Sequence, residues 1–250
     1  MGADLGHGKT LDPAWGVVAI ADHEMPPLPD DLLQNPAAAR VDPRRWFDKP
    51  DRPLEIEIGP GKGTFLIEQA PNQPEHDFLG IEWAGEFFAY AADRVRRRRA
   101  AGQLANVRLL HADATEFLRW RCPDAVVRVL HLYFSDPWPK KKHHKKRVIQ
   151  DRFMAEAWRV LEPGGELRVV TDHPGLWAWD EAHFANWTAE AHDSPARAAG
   201  GFPPVPFERL EFTTPLSAGE GELVGSNYER KWRQEGRDFF AATLKRLDGP

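Results

Sequence analysis

Leu54-Glu55-Ile56-Glu57-Ile58-Gly59-Pro60-Gly61-Lys62-Gly63 decides the reading of the whole chain. Its first five residues alternate apolar and acidic, the period of a strand. The three glycines that follow let the backbone turn through positive φ and come close to a ligand. The stretch up to Ala70 then reads as a helix. A strand that turns through glycines into a helix opens an α/β domain, in which ligands sit beyond the carboxyl ends of the strands.

The same alternation recurs downstream. Strands are predicted at 78–82, 106–111, 126–134 and 166–171, and helices at 84–101, 114–120, 148–161 and 176–191. Glu162-Pro163-Gly164-Gly165 is predicted as a turn. Residues 126–134, the longest apolar run, suit a central strand buried on both faces. Residues 207–213 and 239–247 supply the two final strands. The pattern implies a mainly parallel sheet of seven strands, with helices on both faces and right-handed crossovers. Residues 192–206, rich in Ala, Gly and Pro, read as a loop or insertion. Upstream, residues 1–53 hold eight prolines. Each fixes φ and removes a backbone donor, so this segment reads as a Pro-rich arm, partly extended or disordered. The expected organisation is that arm followed by one domain over 54–250.

With 250 residues, 42% of them hydrophobic and 28% charged, the chain can bury a sizeable core. Its formal net charge of −5 excludes indiscriminate binding of nucleic acid by bulk charge. That charge is unevenly spread. Residues 94–99 hold five arginines, residues 140–147 hold six lysines and arginines, and neither stretch contains an acid. The single cysteine, Cys122, excludes a disulfide framework and a multi-cysteine zinc site. The apolar run at 15–21 is too short to span a membrane, and no basic segment of a signal peptide precedes it. A cytoplasmic protein without membrane association is expected.

Acids recur at the strand ends. Glu57 stands two residues before the first glycine, a poor neighbour for a diphosphate and a good one for a cationic ligand. The loop spacing G-x-G-x-G is not the dinucleotide fingerprint, and no Lys-Ser/Thr pair completes a phosphate-cradling loop. Glu82 ends the second strand, where an acid can accept hydrogen bonds from both hydroxyls of a ribose. Asp113 follows the third, positioned to meet an adenine amino group. Any one of these alone reads as a tight turn, a strand-end acid or a helix cap. At successive strand ends they resemble the S-adenosylmethionine site of Rossmann-like methyltransferases, with Glu57, Gly59, Gly61, Gly63, Glu82 and Asp113 as cofactor residues.

The fourth strand ends in Tyr133-Phe134-Ser135-Asp136-Pro137-Trp138-Pro139 and runs directly into Lys140-Lys141-Lys142-His143-His144-Lys145-Lys146-Arg147. Asp136 should face the same crevice as the cofactor. Prolines on either side of Trp138 stiffen the loop, and the indole offers a flat surface for packing or stacking. A charge run is ordinarily a solvated face. Adjoining the strand-end acid, this one reads as a phosphate-contacting surface. The neighbouring His143 and His144 have no further ligands at metal-binding spacing, so no metal is expected.

Residues 134–147 are similar to the signature of the tRNA (guanine-N7)-methyltransferase family, F-[PS]-D-P-W followed by Lys, Arg and His. The likeness extends over 54–247 and takes in Glu57 to Gly63, Gly80-Ile81-Glu82, Asp113, Thr171-Asp172, Ser226-Asn227-Tyr228-Glu229 and Gly236-Arg237. The resemblance implies a bacterial single-chain enzyme that moves a methyl group from S-adenosylmethionine to N7 of a guanine in tRNA. It implies cofactor contacts at Glu57, Glu82, Asp113 and Asp136, and substrate contacts at Lys140, Asp172, Ser226, Asn227, Tyr228 and Glu229. RNA contacts fall on Lys142, His143, His144, Lys145, Lys146 and Arg147. Ser226 stands where the family usually has Thr, and Lys142 and Lys146 where Arg is common.

Guanine N7 carries an in-plane lone pair and no proton, so the transfer needs alignment more than a base. Asp136 is the candidate catalytic residue, stabilising the positive charge that reaches the purine, with Asp172 orienting the base. Either Trp138 or Tyr228 could stack on it. No obligate protein partner is evident, and the chain reads as a monomer or homodimer. Two other readings remain: a methyltransferase of another substrate, which leaves the basic run idle, and an RNA-binding protein with a vestigial cofactor site.

Overall fold

A computed structural model describes residues 19–188 and 206–247. The loop or insertion predicted at 192–206 lies, apart from Pro206, outside the described residues. The strands are β1 (Ala19–Ala21), β2 (Leu54–Ile58), β3 (Asp77–Glu82), β4 (Val107–His111), β5 (Val127–Tyr133), β6 (Leu161–Thr171), β7 (Phe207–Leu210) and β8 (Phe240–Arg246). They form one sheet in the order β1-β4-β3-β2-β5-β6-β8-β7. All pairings from β1 to β6 are parallel, while β8 runs antiparallel to both β6 and β7. The seven predicted strands are β2 to β8, and an eighth, β1, joins from the arm, with Ile20 opposite Leu110.

The helices are α1 (Thr64–Gln69), α2 (Gly85–Ala100), α3 (Ala114–Glu116), α4 (Asp151–Val160), α5 (Pro174–Trp187) and α6 (Asn227–Gln234). The helix predicted at 148–161 begins only at Asp151, the strand predicted at 207–213 ends at Leu210, and two further departures change the path of the chain. Past α3 the chain widens into a π turn over Phe117–Arg121. The predicted turn Glu162-Pro163-Gly164-Gly165 is carried inside β6, whose pairing with β5 jumps from Val127↔Leu161 to Val129↔Glu166. The extra residues bulge out of the ladder instead of ending it.

Helices cover both faces, so two cores flank the sheet. On one, Ile56, Ile58, Ile81 and Leu132 pack with Phe153 and Phe184. On the other, Phe78 and Leu109 pack with Phe65, Leu66, Phe88 and Val95. Each large side chain so buried contributes about 2 kcal/mol. Residues of the arm close the first core: Met25 and Phe47 belong to it. Arg40 donates to the carbonyls of Arg119 and Cys122 at 2.7 and 2.8 Å. All five residues of β2 are buried, Glu55 and Glu57 included. Chain order reverses at β2, which lies between β3 and β5. That reversal opens a crevice at the carboxyl ends of these strands.

Candidate active site

The loop after β2 is built by its glycines. Gly59, Gly61 and Gly63 take φ of 69°, 55° and 68°, a region that a side chain makes costly. A Cβ added at Gly59 or Gly61 would meet nothing within 4 Å. The loop is therefore open on its outer side. Behind it, a Cβ at Gly80 would lie 2.5 Å from Leu66 Cδ1 and 2.8 Å from Leu109 Cδ2. Glycine there lets α1 seat directly on the sheet. Arg94, first of the arginine run on α2, donates to the Lys62 carbonyl at 2.6 Å and to Thr64 Oγ1 at 3.1 Å. It braces the loop instead of standing in solvent.

Glu82 ties this loop to the next strand end. Its Oε2 accepts from the Gly61 N–H at 2.9 Å, and its Oε1 from the Ala84 N–H at 2.8 Å. Glu57 lies beneath the loop, 5% exposed. Its Oε2 has no hydrogen-bond partner. Burial first, and the Glu82 charge second, push its carboxyl from the ordinary 4.5 up to about 8. An orphaned carboxyl beside an open glycine loop fits a ligand that carries positive charge, which would fill the oxygen and offset Glu82.

Asp113 caps α3. Its Oδ1 accepts from Thr115 N at 2.8 Å, Thr115 Oγ1 at 2.6 Å and Glu116 N at 3.2 Å. All three bonds use one oxygen, and Oδ2 has no protein partner among the described residues. The cap and the crevice position coexist in this residue. Trp83, which the motif reading passed over, is 72% exposed directly after Glu82. Its signal in the sequence was a large aromatic directly after the acid that ends a strand.

The Asp136 loop leaves β5 under backbone strain. Among the described residues, four non-glycines have positive φ, and Phe134 (54°) and Trp138 (41°) flank Asp136 on either side. Such strain gathers at functional sites. Phe134 N donates to the Val170 carbonyl at 2.8 Å, so the turn begins where β5 and β6 are still paired. Asp136 is exposed. The basic run that follows is a 3-10 turn over Lys141–Lys146. Lys140, Lys141, Lys142, Lys145 and Lys146 are exposed, and His143 and His144 half-buried. Trp138 is enclosed by this turn, with the His143 ring stacked at 5.8 Å and Lys146 Nζ 4.5 Å from its centroid.

Arg147 parts company with its neighbours. It is 4% exposed and donates to the carbonyls of Pro137, at 2.9 Å, and Gly175, at 3.2 Å. The guanidinium clamps the Asp136 loop to the start of α5, so Arg147, expected as an RNA contact, is taken up inside the protein and the exposed basic side chains end at Lys146.

Asp172 follows β6, next to the Asp136 loop. Its Oδ2 pairs with Arg237 Nη1 at 2.6 Å, and the Tyr228 hydroxyl stands 3.4–3.5 Å from both its oxygens. The Tyr228 ring leans on Phe134 at 4.8 Å and stays 43% exposed. Within Ser226-Asn227-Tyr228-Glu229 the roles divide. Ser226 caps α6, accepting from Glu229 N at 3.0 Å. Glu229 is fully buried, accepts from the N–H groups of Leu223, Val224 and Gly225 at 2.5, 2.9 and 3.0 Å, and pairs with Arg233 at 2.7 Å. These two residues shape the segment. Asn227 and Tyr228 form its exposed face, with Asn227 Nδ2 donating to Thr64 Oγ1 at 3.3 Å.

Among the described residues no helix is long and apolar enough to cross a membrane. No group of three or more His, Cys, Asp and Glu among them could hold a metal ion.

A family model described as "Putative methyltransferase" matches residues 51–242. A tRNA (guanine-N(7)-)-methyltransferase of Alkalilimnicola ehrlichii is 33% identical over 219 residues, which span 88% of this chain and 83% of that protein. The enzyme of the same description from Streptococcus pyogenes serotype M6 is 34% identical over 67% of this chain and 76% of its own. That from Nitrobacter hamburgensis is 36% identical over 68% of this chain and 66% of its own. Among solved structures, an antibiotic-related methyltransferase superimposes with a TM-score of 0.51 at 16% identity, covering 89% of this chain and 96% of that one. The 16S rRNA methyltransferase KamB gives 0.50 at 14%, covering 90% and 96%. At such identities these two share the fold.

Proposed function

The chain belongs to the tRNA (guanine-N7)-methyltransferase family, and on that premise we propose that it methylates N7 of a guanine in tRNA with S-adenosylmethionine as donor. One observation carries the reading. A single strained segment leads from the crevice above β5, through the exposed Asp136, straight into five exposed lysines. Methyl-transfer crevice and polyanion surface are thus one continuous piece of chain.

The bound cofactor supplies an electrophilic methyl on a sulfonium. Glu57 would hold the cationic end of that ligand with its unfilled oxygen, releasing its own proton to solvent as it ionises. Glu82 keeps further lone pairs for ribose hydroxyls, and Asp113 offers Oδ2 to the adenine amino group. Trp83 gives an apolar face beside them. Asp136 stabilises the positive charge that spreads over the purine as N7 takes the methyl; N7 has no proton to lose, so no base is required. Asp172 accepts from the N1–H and N2–H of the guanine. Tyr228 is the stacking face for the base, because Trp138 is already enclosed by His143 and Lys146. Lys140 and the turn to Lys146 hold backbone phosphates, and a cytoplasmic enzyme is the reading that a tRNA substrate supports.

Incubation with labelled S-adenosylmethionine and bulk tRNA should yield 7-methylguanosine on nucleoside analysis. Asp136→Ala should lower turnover about 100-fold or more while tRNA affinity stays that of the parent. Label on another nucleoside, or unchanged turnover in the variant, would overturn the assignment.

A further inference from the structure

Arg237 has no part in the reaction as described so far, yet it is held in a defined pose at the crevice. It sits in the turn between α6 and β8. Its guanidinium carbon lies 3.4 Å from the centroid of the Trp232 ring, and its Nη1 lies 2.6 Å from Asp172 Oδ2. Stacking fixes the plane of the guanidinium, and the ion pair fixes its rotation within that plane. The Asp172 side chain is 7% exposed and that of Arg237 41%. Nε and the second Nη of Arg237 have no protein partner among the described residues. A planar donor edge is therefore presented beside a buried acceptor.

We infer that Arg237 selects guanine, donating to O6 of the target base while Asp172 accepts from its N1–H and N2–H. The inference rests on the proposed transfer to a tRNA guanine. The Watson–Crick edge of guanine reads acceptor, donor, donor, and a paired Arg–Asp reads donor, acceptor, acceptor. Adenine reverses the first two positions, so it sets its amino group against the guanidinium and its N1 lone pair against the carboxylate. A site built to hydrogen-bond an edge rejects a base that leaves those groups unmatched far more strongly than an apolar pocket can. The pairing also settles an electrostatic difficulty. An isolated guanidinium near the base would oppose the positive charge that forms on the purine. Neutralised by Asp172, it adds little field at N7 and leaves the charge stabilisation to Asp136.

The test is a cycle of enzyme and substrate changes. tRNA carrying guanosine, 6-thioguanosine or inosine at the modified position is methylated under single-turnover conditions by the parent and by Arg237→Ala and Arg237→Lys. Sulfur at position 6 weakens the acceptor that faces Arg237 and keeps both donors that face Asp172, whereas inosine keeps O6 and lacks the amino group that faces Asp172. The parent should be slower on both analogues. In Arg237→Ala, transfer to guanosine should fall about tenfold or more, the 6-thioguanosine penalty should vanish, and the inosine penalty should persist. Arg237→Lys, which keeps a donor, should restore part of the 6-thioguanosine penalty. The analogue-to-guanosine ratio within one enzyme removes differences in enzyme folding, and comparing that ratio between parent and variant removes differences in intrinsic N7 reactivity. A parent indifferent to 6-thioguanosine, or a variant that keeps the full penalty, overturns the inference while leaving N7 transfer intact. No 7-methylguanosine from the parent overturns the underlying reading, and this inference with it.

Discussion

Glu55 and Glu57 are two residues apart on one strand, point to the same face and are equally buried, yet they behave as opposites. Glu55 lies in the middle of the sheet with both oxygens engaged. His131 Nε2 is 2.7 Å from Oε2, and His76 Nδ1 is 2.6 Å from Oε1. His131, kept neutral by burial against the pull of Glu55, accepts in turn from the Tyr133 hydroxyl at 2.7 Å. Burial alone would raise the Glu55 carboxyl, but the bonds from His131 and His76 outweigh it and bring the value down to about 2. Glu57, at the open edge, has only the Leu66 backbone N–H as a partner and one oxygen unfilled, and burial, followed by the Glu82 charge, pushes it up to about 8. The middle of the sheet satisfies its acid internally, whereas the edge leaves one oxygen of its acid without a partner. Burial of a charge says little about its role; whether its partners are already present says much more.

The largest effect expected from breaking this contrast is on folding. Glu55→Ala leaves the sealed His131 N–H facing nothing and the His76 N–H only water, and should cost about 3 kcal/mol in denaturant unfolding. At temperatures where the variant is folded, cofactor affinity should remain that of the parent. A stability unchanged from the parent would mean that the buried network contributes nothing.

Glu57→Gln should show the reverse. Stability should stay within about 1 kcal/mol of the parent, since the group is already uncharged when buried. Affinity for S-adenosylmethionine, read by calorimetry, should fall about tenfold, the equivalent of about 1.4 kcal/mol. Full affinity in this variant would show that the cationic ligand does not use the orphaned oxygen.

The alternation does not separate these two glutamates; only the place of Glu57, two residues before the glycine loop, set it apart. Both occupy the acidic phase of the same alternation, and His131 reaches Glu55 only through pairing of β2 with a strand more than 70 residues away. What local sequence did carry was the punctuation: the glycine loop, the acids that end β3 and β4, and the Asp136 loop with its basic sequel. The same limit applies at Arg147, indistinguishable by composition from the lysines before it until the carbonyls of Pro137 and Gly175 are brought around it. It applies again at Glu229, whose motif suggested a substrate contact and whose carboxylate is fully occupied by backbone N–H groups and Arg233. Strand β1 escaped notice because three residues are too few to display a period.

The two glutamates should also write opposite signatures into stability against pH. Folded Glu57 keeps its proton to about pH 8, whereas an unfolded glutamate releases it near 4.5. The folded state binds the extra proton in that window, so stability falls as pH rises through it. Glu55 is lowered to about 2, so its contribution is complete above about 4.5 and is lost as pH falls toward 2. Asp77 and Asp180, raised chiefly by burial to about 6 and about 7, add slopes of the same sign as Glu57. The difference between variant and parent is therefore the measurement. Glu57→Gln should flatten the slope between about 4.5 and 8 and leave the acid limb; Glu55→Gln should do the opposite. A Glu57→Gln profile parallel to that of the parent across the window would place Glu57 among ordinary ionised acids.

The smallest effect should separate the two partners of Glu55. The His76 side chain is 28% exposed, against 1% for His131. Water can replace the His76 N–H on Oε1, whereas nothing can replace that of His131 on Oε2. His76→Ala should therefore cost about 0.5–1 kcal/mol, the net worth of a hydrogen bond that solvent can substitute. His131→Ala should cost more, because it also opens a cavity against Phe65, whose ring is 4.8 Å from the imidazole, and strands the Tyr133 hydroxyl. If His76→Ala proved as costly as Glu55→Ala, the half-exposed histidine would be the group that holds this carboxylate ionised. The division between a sealed centre and a receptive edge would then have to be drawn elsewhere.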